Sequence, residues 1–195
     1  DAFVWIPYAS LPDGPDKERG LNSLASYVGC CWLMLVVAPP TEHADLGTPC
    51  GVGSWLAQGW SRLHLAAACL SSSRPLMMLV EGGTAQPTLF DAGRAWGACV
   101  GEGEFGSGRR GHKRDGHETA CDKPKAKKLI EAMVNTRVTE LKAGLARAPA
   151  TSGDAWMPLF LQCALPHWLR GLPEIAAPTT AEEAAAEGGA LDALR

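Results

Sequence analysis

The stretch SWLAQGWSRLHLAAACL, Ser54 to Leu70, holds the densest set of side chains that could do chemistry. Trp60, Ser61 and His64 stand one turn apart if the segment is helical, so they share a strip of its surface. His64 could exchange a proton near neutral pH, although a lone histidine on a helix flank is more often structural. Glu81, in LVEGG, falls where an apolar strand ends and could supply a carboxylate. No G-x-S-x-G elbow exists, and Ser54 reads better as a helix cap than as a nucleophile. GEGEFG, Gly101 to Gly106, matches the dinucleotide pattern G-x-G-x-x-G. It carries two glutamates where phosphate would sit and runs into SGRRGHKRDG, so it reads as a flexible loop. His112, His117 and Cys121 could reach one zinc ion, but a fourth ligand is missing and cations surround them, so no metal is expected. Residues 109–128 hold eight Lys/Arg against three Asp/Glu with no aromatic between them, which suits a solvated loop better than a nucleic-acid surface. The seven cysteines follow no CxxC pattern and several lie in apolar runs, the usage of free thiols in a reducing compartment. In the vicinal pair Cys30-Cys31, one thiol is expected inward and one at a helix end.

These residues need elements to position them. AFVWIPYASLP alternates and reads as a strand ending at Pro12; Pro7 places it at a sheet edge. LNSLASYVGCC sets Leu21, Leu24, Val28 and Cys31 on one helical face. WLMLVVAPP is wholly apolar, as a strand buried on both faces would be, and PLMMLVEGG is a second such strand. Between them, Ser54 caps a helix to Leu70 whose buried stripe is Leu56, Trp60, Leu63, Ala67 and Leu70. AWGACV reads as a last short strand. The alternation predicts an α/β fold with a parallel sheet and flanking helices. Ligands gather at the carboxyl ends of such strands, here Tyr8 to Leu11, Ala38 to Pro40 and Glu81 to Gly83. Tyr8, Ser10, Trp60 and Ser61 are the candidate ligand-pocket residues on that ground. Further on, Ile130, Val134, Val138, Leu141 and Leu145 give a helix over Lys125–Ala146 one apolar face. SGDAWMPLFLQCALPHWLRGLP reads as a helical hairpin packed back on the sheet. The expected division is 1–105 as the α/β domain, 106–124 as a Gly/Arg-rich loop, 125–173 as a helical extension and 174–195 as an Ala/Glu-rich tail. The net charge of −3 and the absence of a long apolar run give no reason to expect nucleic acid or membrane as partner.

The order VWIPYASLP, LNSLASYVGCCWLMLVVAPP, SWLAQGWSRLHLAAACL, PLMMLVEGG resembles the Toll/interleukin-1 receptor-like (TIR-like) domains of algal and protist proteins, over residues 2–105. Fungal heterokaryon-incompatibility domains share a similar first motif. The resemblance implies a flavodoxin-like parallel sheet whose first strand lies upstream of Asp1, so the chain reads as a fragment. It implies intracellular, cytoplasmic signalling through protein partners or self-association, with Ala9–Arg19 as the partner loop. Asp13, Asp16, Lys17 and Arg19 are its candidate contact residues. In some members it also implies cleavage of NAD at the nicotinamide–ribose bond, which makes NAD the candidate ligand or substrate. Trp60 and Arg62 match the motif. The carboxylate that would stabilise an oxocarbenium ion is replaced by His64, a motif cysteine by Ser61, and the Asp of the first motif by Pro7.

The expectation is therefore a binding or signalling module with degraded or absent NAD cleavage and no resident cofactor. His64, Arg62 and Glu81 are the candidate catalytic residues if cleavage survives, with Glu81 as the substitute carboxylate. A scaffold using the basic segment and the C-terminal helices is the other reading. A sheet lacking its first strand exposes apolar surface, so the chain alone is expected to be poorly soluble or partly unfolded.

Overall fold

The computed structural model describes residues 4, 6, 10, 16–44, 47–105, 113–114, 117–118, 121–147 and 156–173. The chain forms helices Asp16–Asn22 (α1) and Leu24–Cys30 (α2), then strand Leu33–Val37 (β1). A two-residue hairpin follows, Thr41–Glu42 (β2) with Pro49–Cys50 (β3). Helices Val52–Ala57 (α3) and Gly59–Leu70 (α4) lead to strand Leu76–Val80 (β4). Next come Thr88–Leu89 (β5), helix Ala92–Gly97 (α5) and a 3-10 turn at Val100–Glu102. A small hairpin, Lys113–Arg114 (β6) with His117–Glu118 (β7), precedes the long helix Lys123–Arg147 (α6) and helix Met157–Leu169 (α7).

The fold is mixed α/β, and among the described residues its main sheet has three strands in the order β1-β4-β5. β1 and β4 pair in parallel, from Leu33 opposite Leu76 to Val37 opposite Val80. The crossover between them runs through α3 and α4, as the strand–helix–strand pattern of the sequence requires. β5 pairs antiparallel with β4, so among the described residues the sheet is small and mixed. The expected first-motif strand falls almost wholly outside the described residues, Tyr8 and Pro7 included. Of that segment, Val4 and Ile6 lie outside any strand, and Ser10 lies in a helical turn with its N–H on the Ile6 carbonyl at 2.7 Å.

α4 is the central helix because it is apolar nearly all round. Leu63, Ala66, Ala67 and Leu70 join Leu24 and Val28 of α2, Ile130, Val134 and Val138 of α6, and Leu161 and Trp168 of α7 in one core. Leu65 points elsewhere, to Val36, Ala38 and Phe90 in a second core against the sheet. α6 has the apolar face the sequence predicts, with Ile130, Val134, Val138 and Leu141 buried. The first core draws residues from both 1–105 and 125–173.

Four local expectations are corrected. The segment from Ser54 to Leu70 is two helices, because Gln58 turns to an extended conformation between them. Ser54 is not the first residue but sits inside α3, where its Oγ accepts from the Gly51 N–H at 2.9 Å. AWGACV holds no strand: its first three residues end α5, which starts where the Asp91 carboxylate accepts from the Gly93 N–H at 2.8 Å, and its Val100 opens the 3-10 turn. The C-terminal hairpin is one helix, α7, and its Trp168 packs among helices, stacked on Trp96 at 5.7 Å, rather than on the sheet.

The largest correction concerns β1. Its burial alternates instead of being complete: Val36 is buried, while Leu35 and Val37 are 53% and 61% exposed. The two cores take only Met34 and Val36 from β1, and Met77 and Leu79 from β4. Leu33, Leu35, Val37, Leu76, Met78 and Val80 project from the other face, by the period-2 alternation of a strand. Among the described residues no helix is long and apolar enough to cross a membrane.

Candidate functional site

The break between α3 and α4 fixes the neighbourhood of Trp60, Ser61, Arg62 and His64. The backbone of Glu104 enters the gap: its N–H donates to the Ala57 carbonyl and its carbonyl accepts from the Gly59 N–H, both at 2.7 Å. Phe105 then lies against Gly59, where a β-carbon would stand 2.2 Å from the ring. Gly103 makes the same approach from the other side, a β-carbon there falling 2.4 Å from the Gly59 Cα. GEGEF is thus a packed strap with Gly101, Gly103 and Phe105 buried, not the flexible loop read from the sequence. Its glycines serve close backbone approach, which uses the same residue type as a phosphate loop for a different reason.

The candidate residues on α4 are held by this packing. Arg62 sends Nε to the Leu56 carbonyl at 2.6 Å and an amino nitrogen to the Cys99 carbonyl at 2.7 Å. It thereby ties the end of α3 to the start of the strap. Trp60 stands edge-on to Phe105 at 5.9 Å and donates its indole N–H to Asp122 at 3.2 Å. Ser61 is buried, with its Oγ 3.5 Å from the Gln58 side-chain oxygen. His64 is partly buried, and its Nδ1 lies 2.6 Å from the Trp60 carbonyl. Burial holds its pKa below the ordinary histidine value, and the Trp60 carbonyl opposes that only in part. The imidazole is therefore neutral at physiological pH, and a neutral ring offers no negative charge to a developing oxocarbenium ion.

The remaining candidates do not complete a catalytic set. Glu81 follows β4 and is exposed. At the carboxyl end of β1, a shallow pocket is lined by Pro40, Thr41, Glu42, Gly47, Pro49 and Cys50. None of the catalytic candidates lines it. Tyr8 and Asp13 lie outside the described residues. Asp16, Lys17 and Arg19 are exposed, but on α1 rather than on a loop, and Arg19 pairs with Asp16. His112 also lies outside the described residues, and among those described no cluster of three His, Cys, Asp or Glu could hold a metal ion. All seven cysteines are free thiols. Cys30 is exposed at the end of α2, and the Cys31 thiol turns back to the Tyr27 carbonyl at 3.2 Å.

What the sequence reading missed is the open face of the sheet. Leu33, Leu35, Val37, Leu76, Met78 and Val80 share it, and Leu89 of β5, opposite Met78, extends it. Trp32 stands exposed just before β1. Two uninterrupted apolar runs are the signal of a two-sided burial that the described residues do not complete. No protein-family model, no curated protein and no solved structure matches the chain.

Proposed function

We propose that the chain is an intracellular binding and signalling module resembling the TIR-like domains, without NAD cleavage, and that its docking surface is the open sheet face. The observation that carries this reading is the apolar row Leu33, Leu35, Val37, Leu76, Met78 and Val80, left outside both cores. Contiguous exposed apolar surface of this kind marks interaction sites. The engagement of Arg62 by two carbonyls and of His64 by the Trp60 carbonyl supports the absence of cleavage, because both side chains already serve the fold.

The size of the face selects its occupant. Five residues per strand give a length of about 17 Å, and three strands give a width of roughly 10–14 Å. A single helix, about 10 Å across and three turns long, covers it. The partner is therefore an amphipathic helix with an apolar stripe.

Two measurements test the proposal. Incubated with NAD, the full chain should release no nicotinamide above a protein-free blank; release that disappears in His64→Ala or Glu81→Gln refutes the absence of cleavage. A fluorescent amphipathic Leu/Lys helical peptide should bind saturably to the parent and at least about tenfold more weakly to Leu35→Lys. Equal binding by the two refutes the docking surface.

A further inference from the structure

Two adjacent cysteines outside both cores stand at the joint between α2 and β1. Cys30 is the last residue of α2 and Cys31 caps it, with Trp32 and then β1 directly after. Of the seven cysteines only Cys30 and Cys163 are exposed. Cys31 is half-buried and held from three sides. Its N–H donates to the Val28 carbonyl at 3.1 Å and its thiol to the Tyr27 carbonyl at 3.2 Å. Its own carbonyl accepts from the Ser73 hydroxyl at 3.4 Å. Ser73 lies in the turn between α4 and β4, and just beyond it the Leu76 N–H donates to the Trp32 carbonyl at 3.0 Å. The pair therefore sits where both parallel strands begin.

An accessible thiol beside a second, resolving thiol is the arrangement of a redox-sensing pair. Cys30 meets an oxidant first, because it is exposed while Cys31 is half covered. Cys31, the next residue, is on hand to resolve the product. The ring so closed is strained: adjacent α-carbons are about 3.8 Å apart across a trans peptide, whereas disulfides usually span about 4.4–6.8 Å. Strained or exposed disulfides are the labile, regulatory kind rather than the structural kind. A transient bond of that kind suits a chain whose cysteines are all free thiols. Closure also acts on the helix. A disulfide sulfur has no hydrogen to donate, so the Tyr27 carbonyl, in the last turn of α2, loses the bond it accepts from Cys31.

We propose that Cys30 and Cys31 form a reversible thiol–disulfide site that takes a small disulfide of the glutathione type as its oxidant. In the first step the Cys30 thiolate attacks one sulfur of the oxidant, forms a mixed disulfide and releases one glutathione. In the second the Cys31 thiolate attacks the Cys30 sulfur, and the second glutathione leaves. The two thiol protons end on the two departing glutathiones. The chain thus gives up two electrons and two protons, and the oxidant takes them up as two thiols. Excess reduced glutathione runs both steps backwards. Neither step needs NAD or an occupant on the sheet face, so the site is separate from the function proposed above.

Treatment of the full chain with oxidised glutathione, acid quenching, and intact-mass and peptide mapping test the assignment. Cys163→Ser is carried throughout, which leaves Cys30 as the one exposed thiol. The expected product has lost two hydrogens, both from the peptide that holds residues 30 and 31, and carries no glutathione. A large excess of reduced glutathione should restore both thiols. Cys31→Ser should stop at the mixed disulfide, with glutathione kept on Cys30. Its hydroxyl can still donate to the Tyr27 carbonyl, and neither cysteine belongs to a core, so these variants should fold. Cys30→Ser should leave Cys31 unmodified over the time in which the parent pair closes. Glutathione retained on Cys30 beside an intact Cys31 overturns the proposal. So does pairing of Cys30 with any other cysteine, a pair that stays reduced, or a closed product that excess glutathione fails to reopen.

Discussion

A methyl group on Gly59 would stand 2.2 Å from the Phe105 ring, so Gly59→Ala must displace the ring or the start of α4. Overpacking of this kind costs about 1–3 kcal/mol, and the melting temperature should fall accordingly. Gly144→Ala, in α6 with nothing within 4 Å of the new carbon, should instead raise stability by about 0.5–1 kcal/mol. Comparing the two by thermal melts separates close approach from helix propensity. His64 supports a second prediction. Burial lowers its folded-state pKa below the ordinary 6.5 of the unfolded chain. The unfolded state therefore takes up a proton first as the pH falls, and stability is lost from about pH 6.5 downward until the folded pKa is reached. Above 6.5 both states are neutral at this position and the loss is absent. The melting temperature of the parent should fall between pH 7 and pH 5 by more than that of His64→Gln. Equal pH dependence in the two proteins would show that His64 is not the buried neutral group described here.

The elements were legible where pattern alone decides them. The apolar runs LMLVV and LMMLV became β1 and β4, and Ile130, Val134, Val138 and Leu141 became the buried face of α6. They were not legible where a distant segment decides. Nothing in SWLAQGWSRLHLAAACL announces that Glu104 will enter between Ala57 and Gly59; only the glycine itself, weak in a helix interior, hinted at it. Nor does the start of AWGACV look helical until Asp91 is seen capping the turn before it. At the candidate site, the residue types were legible but not their obligations. Arg62 reads as a free cation in sequence, and its two carbonyl partners come from Leu56 and Cys99. α7 shows the same dependence on distant partners, since Trp168 gains its place only through Trp96 and the first core. Trp168→Ala should cost about 3–5 kcal/mol, the range for removing a fully buried aromatic. Amide hydrogen exchange should show α7 opening ahead of α4, because α4 keeps its contacts with α2 and the sheet. Simultaneous loss of protection in both helices would mean that α7 is integral to the central helix rather than added to it.

For the molecule as a whole, the balance of burial is one-sided. All the apolar side chains that the cores draw from β1 and β4 lie on a single face; on the opposite face Leu35, Val37 and Leu76 are exposed and Leu33, Met78 and Val80 are half-buried. Among the described residues β1 lies at the edge of the sheet, with no strand on its outer side. Exposed apolar side chains on one sheet face are a liability for solubility. The helices, in contrast, share one continuous core with α4 at its centre, and that core does not depend on the open face. Solubility and stability should therefore separate. Leu35→Lys with Val37→Lys adds charge where both native side chains are more than half exposed. The soluble fraction after expression and the concentration at which light scattering rises should both increase. The melting temperature should stay within about 1–2 °C of the parent, as expected for changes within roughly ±0.5 kcal/mol at exposed positions. A large drop in melting temperature would show that this face is already covered by the chain itself, and the docking surface would then have to be sought elsewhere.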